Sequence, residues 1–378
     1  MAGIYLHIPF CVQRCHYCDF FSTTSLELRN KFVNACLNEI ELRADFLEGK
    51  ESDTIYLGGG TPSLMDAASL ELILNNIFKH LNISSKTEIT IEANPDDLSI
   101  DVLSNLKSVG FNRISLGVQS FRNEDLMFMN RRHNAEQAIN SLHILEKSGF
   151  DNMSIDLIYG IPGLSENDWK NNLLQLKDLP ANHLSAYHLT IESGTIFGKW
   201  LKTGKIEEMK EGKSLTQYQI LRELSGELGF EHYEVSNFAK NEQYSKHNIK
   251  YWKGEWYLGI GPSAHSFNGK SRHWNPSDLG KYIDGYMAAS FITKQEDISD
   301  IDRRNELIMT RLRTKWGIEK EDWEMLVNRQ NWSQFIKQCQ KYLTSKDMIY
   351  ENEKLIISAD SWFRSDGIIA DIFSIDQL

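Results

Sequence analysis

The sequence predicts an α/β fold: a partial (β/α)6 barrel followed by a small C-terminal winged-helix-like domain. Short β-rich runs alternate with longer helical patterns over residues 4–189, which is the pattern of parallel β-α units. Each run is also followed by polar or reactive residues, as expected where a site forms at the C-terminal ends of barrel strands. Periodicity alone leaves an open, doubly wound sheet as the alternative.

Six strands are predicted, and the first five are each followed by a predicted helix. The strands are residues 4–8, 54–57, 88–93, 113–118, 153–158 and 183–189. The helices are residues 26–48, 66–80, 101–109, 134–148 and 166–177, with a later one at 215–228. This order favours one sheet with its strands in chain order.

The residues that follow the strands differ in type but share a position. They are the cysteines after the first strand, the run GGGTPS (58–63) after the second, Glu92 and Asn94, Gln119 and Ser120, Asp156, and the group Ala186, Tyr187 and His188. Because the carboxyl ends of parallel strands meet at one edge, these residues are expected to surround a single site.

Composition indicates a soluble globular protein of 378 residues, with 41% hydrophobic and 25% charged residues. The formal net charge of −11 argues against a general binder of nucleic acid or anionic membrane. No apolar run approaches the roughly 20 residues of a membrane-spanning helix, and the N-terminus lacks the pattern of a signal peptide. A cytoplasmic, reducing location is expected.

Three segments are predicted: residues 1–235 as the barrel, 236–299 as a barrel-closing segment that contains HNIKYW (247–252), and 300–378 as the C-terminal domain. The pattern of segment 300–378 predicts helices, then a β-hairpin wing and a final helix. Winged-helix modules often bind DNA, but the charges here are roughly balanced. A structural or protein-docking role is therefore the favoured interpretation.

Three of the five cysteines, Cys11, Cys15 and Cys18, lie within eight residues, whereas Cys36 and Cys339 look like ordinary buried cysteines. Zinc would need a fourth ligand, with His7 or His16 as the nearest candidates. One face of a structural helix is a third interpretation. Thiolates also bind iron–sulfur clusters, and three of them leave one iron of a 4Fe-4S cluster without a protein ligand. A cosubstrate can bind there, as S-adenosylmethionine (SAM) does in radical SAM enzymes.

The CxxxCxxC spacing, with the aromatic Tyr17 before the last cysteine, resembles the motif of the radical SAM superfamily. A closer resemblance is to the oxygen-independent coproporphyrinogen III oxidase-like family, and within it to the heme chaperone branch. The segments that carry it are GIYLHIPFCVQRCHYCDF, YLGGGTPS, EANPDDL, RISLGVQSF, MNRRH and SIDLIYGIPG. It extends over essentially the whole chain. It implies a radical SAM barrel as the fold.

The resemblance also implies the residues of the site. Cys11, Cys15 and Cys18 would bind the 4Fe-4S cluster. SAM would contact Tyr5, Tyr17, Gly59, Gly60, Thr61 and Glu92. Residues that contact a second SAM in the family's oxidases match Gln119, Arg131, Asp156 and Ala186. The segment GIGPSAH would place His265 or a neighbour near the adenine. Glu92 at a strand end suits a ribose hydroxyl or an ammonium group, and the glycines suit close backbone approach.

Two departures separate this chain from the oxidases. The fourth cysteine of their CxxxCxxCxC motif is replaced by Phe20, and their long N-terminal segment has no counterpart before Gly3. HNIKYW matches the HNxxYW motif that is implicated in heme binding in the chaperone branch. His247 could supply an axial imidazole, and Tyr251 and Trp252 could cover a porphyrin face. The other interpretation of this motif is a surface loop with packed aromatic residues.

The predicted function is a carrier that binds the cluster, SAM and heme and transfers heme to acceptor proteins. The alternatives are a radical SAM oxidoreductase or decarboxylase acting on a porphyrinogen, a radical SAM methyltransferase and, remotely, a DNA-binding regulator. The expected partners are heme, heme-acceptor proteins and an electron donor for the cluster, with no nucleic acid. Peripheral membrane contact through an acceptor is the only membrane contact expected.

Overall fold

The computed structural model describes residues 1–290, 292–326 and 332–373. Six parallel strands pair in chain order and form the predicted partial barrel. They are β1 (Ala2–Ile8), β2 (Ser52–Gly59), β3 (Ile83–Ala93), β4 (Arg113–Gln119), β5 (Met153–Tyr159) and β6 (His183–His188). Their outward residues are apolar and buried, for example Ile55 and Leu116. Burying these side chains under the helices is what holds the layers together.

Four of the six helices that cover these strands begin at a residue whose side chain caps the helix. Asp66 and Ser99 each accept a hydrogen bond from a backbone N–H of the following first turn, and Asn134 forms a capping box with Gln137. Such caps satisfy N–H groups that have no partner within the helix. The helices are α1 (Arg29–Leu42), α2 (Ala67–His80), α3 (Ile100–Val109), α4 (Asn123–Phe128), α5 (Ala135–Lys147) and α6 (Glu166–Leu174).

The interior of the barrel is polar, unlike its outer face. Side chains alternate along a strand, so Tyr56 and Arg113 face inward, and both line an internal cavity. Both are in register with Thr90 of the intervening strand. A barrel of this size is normally filled by branched apolar side chains. Here a cavity of about 380 Å³ remains between the inward-facing side chains, which leaves room for a ligand.

The sheet continues beyond both ends of the six strands. On one side β9 (Trp256–Ile260) pairs in parallel with β1, so β1 lies between β9 and β2. The antiparallel strands β10 (His265–Phe267), β11 (Ser271–Trp274) and β12 (Lys294–Asp297) follow. On the other side β8 (Asn237–Ala239) pairs with β6, and β7 (Glu231–Glu234) with β8. The seventh parallel strand, β9, was not predicted.

Four more helices complete this part of the chain: α7 (Ile196–Lys202), α8 (Glu211–Glu227), α9 (Lys246–Lys253) and α10 (Leu279–Met287). Helix α10 packs on α1, where the buried Glu39 accepts hydrogen bonds from Tyr282 and from the backbone N–H of Gly261 after β9. Arg43 pairs with Glu39 at 2.9 Å. This network ties the late strand β9 to the first helix.

The C-terminal part combines helices with a three-stranded antiparallel sheet of order β13-β15-β14. Its elements are α11 (Asp300–Arg311), β13 (Ile318–Glu319), α12 (Lys320–Leu326), α13 (Trp332–Gln338), α14 (Gln340–Thr344), β14 (Met348–Glu351), β15 (Lys354–Ile357) and α15 (Ser365–Ile372). Its core includes Trp323 stacked on Phe335 at 4.0 Å between ring centroids. The predicted fold class, a partial barrel with a small C-terminal domain, is confirmed.

The predicted domain limits stay a prediction, and positions 291, 327–331 and 374–378 of those segments lie outside the described residues. Throughout the described ranges, no helix combines the length and the apolar character that crossing a membrane requires.

Candidate cofactor site

A cavity of about 380 Å³ lies inside the barrel and opens at the C-terminal ends of the strands. Eleven of the predicted site residues line it together. They are Cys11, Cys15, Tyr17, Cys18, Gly59, Gly60, Thr61, Glu92, Gln119, Arg131 and Asp156. They come from the ends of five different strands or the loops that follow them, so the topology brings distant parts of the sequence to one place.

The three cysteines lie in the segment between β1 and α1, here called the cysteine loop (residues 9–28). Backbone hydrogen bonds fix both of its arms: Cys11 N–H donates to Thr23 O at 2.9 Å, and His16 N–H donates to Met129 O at 3.1 Å. The side chain of Gln13 donates to Asn130 O at 2.9 Å. The loop is therefore held against the segment after α4 and is not free to move as a flexible tail would.

A chain of hydrogen bonds connects two of the thiols through three other side chains. Thr61 Oγ1 donates to Cys11 Sγ at 3.6 Å, and Asn94 Nδ2 donates to Thr61 Oγ1 at 3.2 Å. Arg131 then donates to Asn94 Oδ1 through Nη2 and to Cys15 Sγ through Nη1, the latter at 3.3 Å. Donors directed at sulfur favour the thiolate, which is the form that binds metal.

Burial has the opposite effect on the thiols of Cys11 and Cys18. It raises the pKa of Cys18 to about 11 and raises that of Cys11, because a partly buried site disfavours the charged form. A metal centre must therefore displace these protons when it binds, and binding is expected to strengthen as the pH rises.

The donor set fits an iron–sulfur cluster better than a single zinc ion. His7 donates from Nε2 to Phe21 O and accepts from Tyr5 at Nδ1, and His16 Nδ1 bonds Phe128 O. Neither imidazole joins the cysteines. Among the described residues no three His, Cys, Asp or Glu side chains converge on a point that would hold one metal ion. A cubane instead takes its thiolates at separate corners, and three thiols around one cavity suit it.

The glycine run at the end of β2 is required first by packing within the protein itself. A Cβ on Gly60 would lie 2.6 Å from the carbonyl oxygen of Phe10, and a Cβ on Gly59, whose φ is +110°, would lie 2.5 Å from the His7 ring. Gly60 N–H donates to Ile8 O at 2.8 Å. The glycines thus let β2 approach the cysteine loop closely while they also line the cavity.

Glu92 is the most strongly perturbed carboxylate on the cavity wall. It accepts hydrogen bonds from Tyr56 Oη at 2.8 Å and from Gly59 N–H at 3.0 Å. Burial, and then the charge of Asp156, raise its pKa to about 7 despite these donors. A carboxyl group poised there can bind an ammonium or a hydroxyl group of a ligand.

Two of the residues that are predicted to contact a second SAM, Gln119 and Asp156, lie on the neighbouring strands β4 and β5. Gln119 has a left-handed backbone, with φ of +68°, which is uncommon for a residue other than glycine. Strain of this kind concentrates at functional sites. Asp156 accepts from Ser115 Oγ at 3.3 and 3.4 Å, and burial raises its pKa.

Three residues that are predicted to contact SAM are not part of the cavity wall. Tyr5 donates to His7 Nδ1 at 3.0 Å, and Ala186 is buried in β6 with its N–H bonded to Ser236 O at 2.8 Å. His265 lies on β10, beyond β9 in the sheet. Their predicted contacts with SAM remain predictions.

The motif HNIKYW forms helix α9, not the surface loop of the alternative interpretation. This helix closes the N-terminal end of the barrel, since the buried Glu88 of β3 accepts hydrogen bonds from its N–H groups at Lys246 and His247. The buried Lys250 pairs with Asp53 at 2.5 Å and with Glu255 at 2.8 Å. Much of the motif therefore serves the attachment of α9 to the barrel.

Both ring nitrogens of the buried His247 are in use. Nδ1 lies 2.9 Å from Thr54 Oγ1, and Nε2 lies 2.9 Å from Tyr251 Oη. The ring stacks on Tyr56 at 5.2 Å. Burial lowers its pKa to about 3, so the imidazole is neutral at ordinary pH. In this conformation no nitrogen of His247 is free to bind iron.

The sequence interpretation missed several residues on the cavity wall, two of which are Asn248 and Arg113. Asn248 of α9 forms part of its floor, and Arg113 faces it from the start of β4. Strand alternation could have found Arg113, because it shares a face with Ser115 and Gly117.

The comparisons with known proteins agree with this site. Residues 5–176 match the radical SAM superfamily. The chain is 32% identical to the heme chaperone HemW of Lactococcus lactis over 374 residues, which covers 99% of this chain and 97% of that protein. It is also 32% identical to HemW of Bacillus subtilis, with 94% of each chain covered, and to HemW of Escherichia coli, with 82% of each covered.

Among solved structures, the coproporphyrinogen III oxidase HemN of Escherichia coli, a radical SAM enzyme, superposes with a TM-score of 0.85. The alignment covers 99% of this chain and 90% of that one. At 21% identity this likeness shows a shared fold. On the near-full-length matches to its relatives, this chain belongs to the HemW family of radical SAM proteins.

Proposed function

We propose that this protein is a heme chaperone that binds a 4Fe-4S cluster, SAM and heme and passes heme to acceptor proteins. The observation that carries the proposal is the match to HemW relatives over nearly the whole length of both chains. It is supported by three thiols that line one cavity together with several polar side chains. The position of the oxidases' fourth cysteine is held by Phe20, whose side chain is 66% exposed.

Different residues on the cavity wall would hold the two cofactors, the cluster and SAM. Cys11, Cys15 and Cys18 would bind three irons, and when bound the cluster supplies one electron and an iron to which SAM coordinates. Glu92 would accept hydrogen bonds from SAM, and Arg131 would hold the cluster thiolates through Cys15. The barrel wall and the cysteine loop would limit access of water and oxidants to the cluster.

The proposed heme site includes helix α9, with His247 as the candidate axial ligand. Iron binding requires His247 to lose one hydrogen bond. Nδ1 faces Thr54 in the core of the sheet, so release of Nε2 from Tyr251 is the smaller change. A neutral imidazole is the form that ligates iron.

Heme and heme-acceptor proteins are the proposed partners, together with an electron donor for the cluster. Contact with a membrane is proposed only through a membrane-bound acceptor. The five cysteines are all unpaired, which suits a cytoplasmic, reducing compartment.

The test is an anaerobic assay on reconstituted full-length protein. Heme is added, and its transfer to an apo-hemoprotein is followed by absorbance; in parallel, coproporphyrinogen III, SAM and a low-potential reductant are supplied, with a genuine oxidase as control. We expect heme transfer and no protoporphyrin. Protoporphyrin formation would make the protein an oxidase, and absence of heme transfer would overturn the chaperone assignment.

Two variants separate the cluster from the heme site. Cys15→Ala is expected to abolish the oxygen-sensitive cluster absorbance while heme binding survives. Cys36→Ala, which changes a cysteine buried in α1, is expected to leave both unchanged. A normal cubane spectrum in Cys15→Ala would refute the cluster assignment.

A further inference from the structure

Arg113 is a buried arginine that faces the cavity from the first position of β4. Its exposed fraction is 1%, and it lies on the cavity wall with Glu92, Ser115 and Asn248. Five residues separate it from Gln119 at the other end of the strand. Arg113 therefore lies deep in the barrel, below the rim that carries the cysteines.

The guanidinium of Arg113 forms no hydrogen bond and no close ion pair within residues 1–290, 292–326 and 332–373. Among the described residues no side chain or carbonyl accepts a hydrogen bond from it, and its Nε is shielded from solvent without a partner. Among the same described residues, no carboxylate lies within ion-pairing distance of Arg113. The other cavity arginine, Arg131, is bonded to Cys15, Asn94 and Gly117.

Burial raises the pKa of Glu88 and of Asp156 and the charge of Arg113 lowers both, so Arg113 acts on these two carboxyl groups electrostatically. Their hydrogen bonds nevertheless go to other donors. Glu88 accepts hydrogen bonds from the N–H groups at the start of α9, at 3.1 and 3.4 Å, and Asp156 accepts from Ser115. A buried charge without a paired group is costly, and proteins rarely keep one fully buried. An arginine kept under these conditions points to a ligand that completes its pairing.

We propose that Arg113 binds the carboxylate of a ligand that enters the barrel cavity. The planar guanidinium pairs with a carboxylate through two parallel hydrogen bonds. Glu92 and Asp156 on the same wall would repel a more highly charged anion such as a phosphate. The inference rests on the proposed function, because that function names the two ligands that carry a carboxylate. The carboxylate is either in the amino-acid part of SAM or in a propionate of heme.

The test compares Arg113→Gln with Arg113→Lys and with Arg43→Gln in the full-length protein. Arg43 is a matched control because it is also a buried arginine, but it is paired with Glu39 and lies away from the cavity. Dissociation constants are measured for SAM by equilibrium dialysis, and for heme and heme dimethyl ester by absorbance. The ester lacks the propionate charges. Thermal unfolding of each variant is recorded without ligand.

Arg113→Gln is expected to weaken one ligand by about tenfold or more while its melting temperature is unchanged or higher, since it removes an unpaired buried charge. Arg113→Lys should show a smaller loss, and Arg43→Gln should unfold at a lower temperature with unchanged binding. Weaker SAM binding alone would assign the amino-acid carboxylate. Weaker heme binding, with the ester unaffected, would assign a propionate.

The proposal is overturned if folded Arg113→Gln binds SAM and heme within about twofold of the wild type, or if heme and its dimethyl ester weaken equally while SAM is unaffected. If Arg113→Gln does not fold, Arg113→Lys decides by the same criteria. A wild type that binds no heme would refute the proposed function, whereas the SAM measurement would still test Arg113.

Discussion

Arg131 donates a hydrogen bond to Cys15, with Nη1 at 3.3 Å from Sγ, across 116 residues of sequence. The same guanidinium reaches the carbonyl of Gly117 in β4 and the side chain of Asn94 after β3. One side chain therefore joins the cysteine loop to two strand ends. Its loss should affect the cluster before it affects the fold.

Arg131→Gln is expected to lose iron to a chelator roughly tenfold faster than the wild type, since a hydrogen bond from a charged donor is worth about 1.5–3 kcal/mol. The measurement is cluster absorbance against time under anaerobic conditions. Arg132→Gln is the control, because the neighbouring Arg132 pairs with Asp96 and Asp97 and bonds no thiol. Equal rates for both variants would contradict the role of Arg131.

Glu92 is expected to make SAM binding depend on pH. Its folded-state pKa of about 7 lies above the ordinary value of 4.5, so below about 7 it is mostly protonated. Only the carboxylate pairs with a cationic group, so SAM affinity should rise as the pH increases through about 7. Titrations across that range on wild type and Glu92→Gln test this. The variant should bind more weakly, with a flatter profile.

The same shift has a consequence for stability. Because the folded state holds this proton more tightly than the unfolded state, the free energy of unfolding falls as the pH rises from 4.5 through about 7. Glu92→Gln removes this loss, so its stability relative to the wild type should grow over that interval. A constant difference in denaturant midpoints across the interval would show that Glu92 does not titrate as described.

Tyr251→Phe is expected to tighten heme binding if His247 ligates the iron. The change removes the hydroxyl 2.9 Å from His247 Nε2, so the nitrogen no longer has to break that bond. The Soret maximum should keep its wild-type position in Tyr251→Phe and shift in His247→Gln. Unchanged heme affinity in the first variant and an unchanged Soret band in the second would exclude His247 as the ligand.

Gly60→Ala is expected to lower the melting temperature and the cluster content together. The added Cβ would lie 2.6 Å from the carbonyl oxygen of Phe10 and 2.9 Å from that of Ile8, and both are backbone atoms that cannot turn away. Gly226→Ala in α8 is the matched control, because a Cβ there meets nothing within 4 Å. That change should stabilise the protein by about 0.5–1 kcal/mol.

The strand order and the rim of the site could be predicted because each depends on a local pattern. Alternating β and α periods located all six barrel strands, and the helix predicted at 134–148 begins at its cap, Asn134, as Ala135–Lys147. The cysteine spacing and the polar strand ends located the cavity wall. In each case the signal lies within about ten consecutive residues.

The parts that could not be predicted depend on contacts between distant residues. Strand β9 (WYLGI) has no helix directly after it, so it lacks the β-α signal even though it pairs in parallel with β1. The burial of His247 depends on Thr54, which lies 193 residues earlier. Likewise, nothing near Arg113 in the sequence shows that its guanidinium forms no hydrogen bond within the part of the chain that the structure describes.

The position of β1 between β2 and β9 affects how the chain folds. Strand β1 gains its second neighbour only when Trp256–Ile260 has been synthesised, because Gly3 pairs with Tyr257. Contacts of such high sequence separation slow folding and leave an unpaired strand edge exposed meanwhile. The cysteine loop, which continues directly from β1, thus reaches its final position late in synthesis. Cluster insertion is accordingly expected to follow, and not to guide, assembly of the sheet.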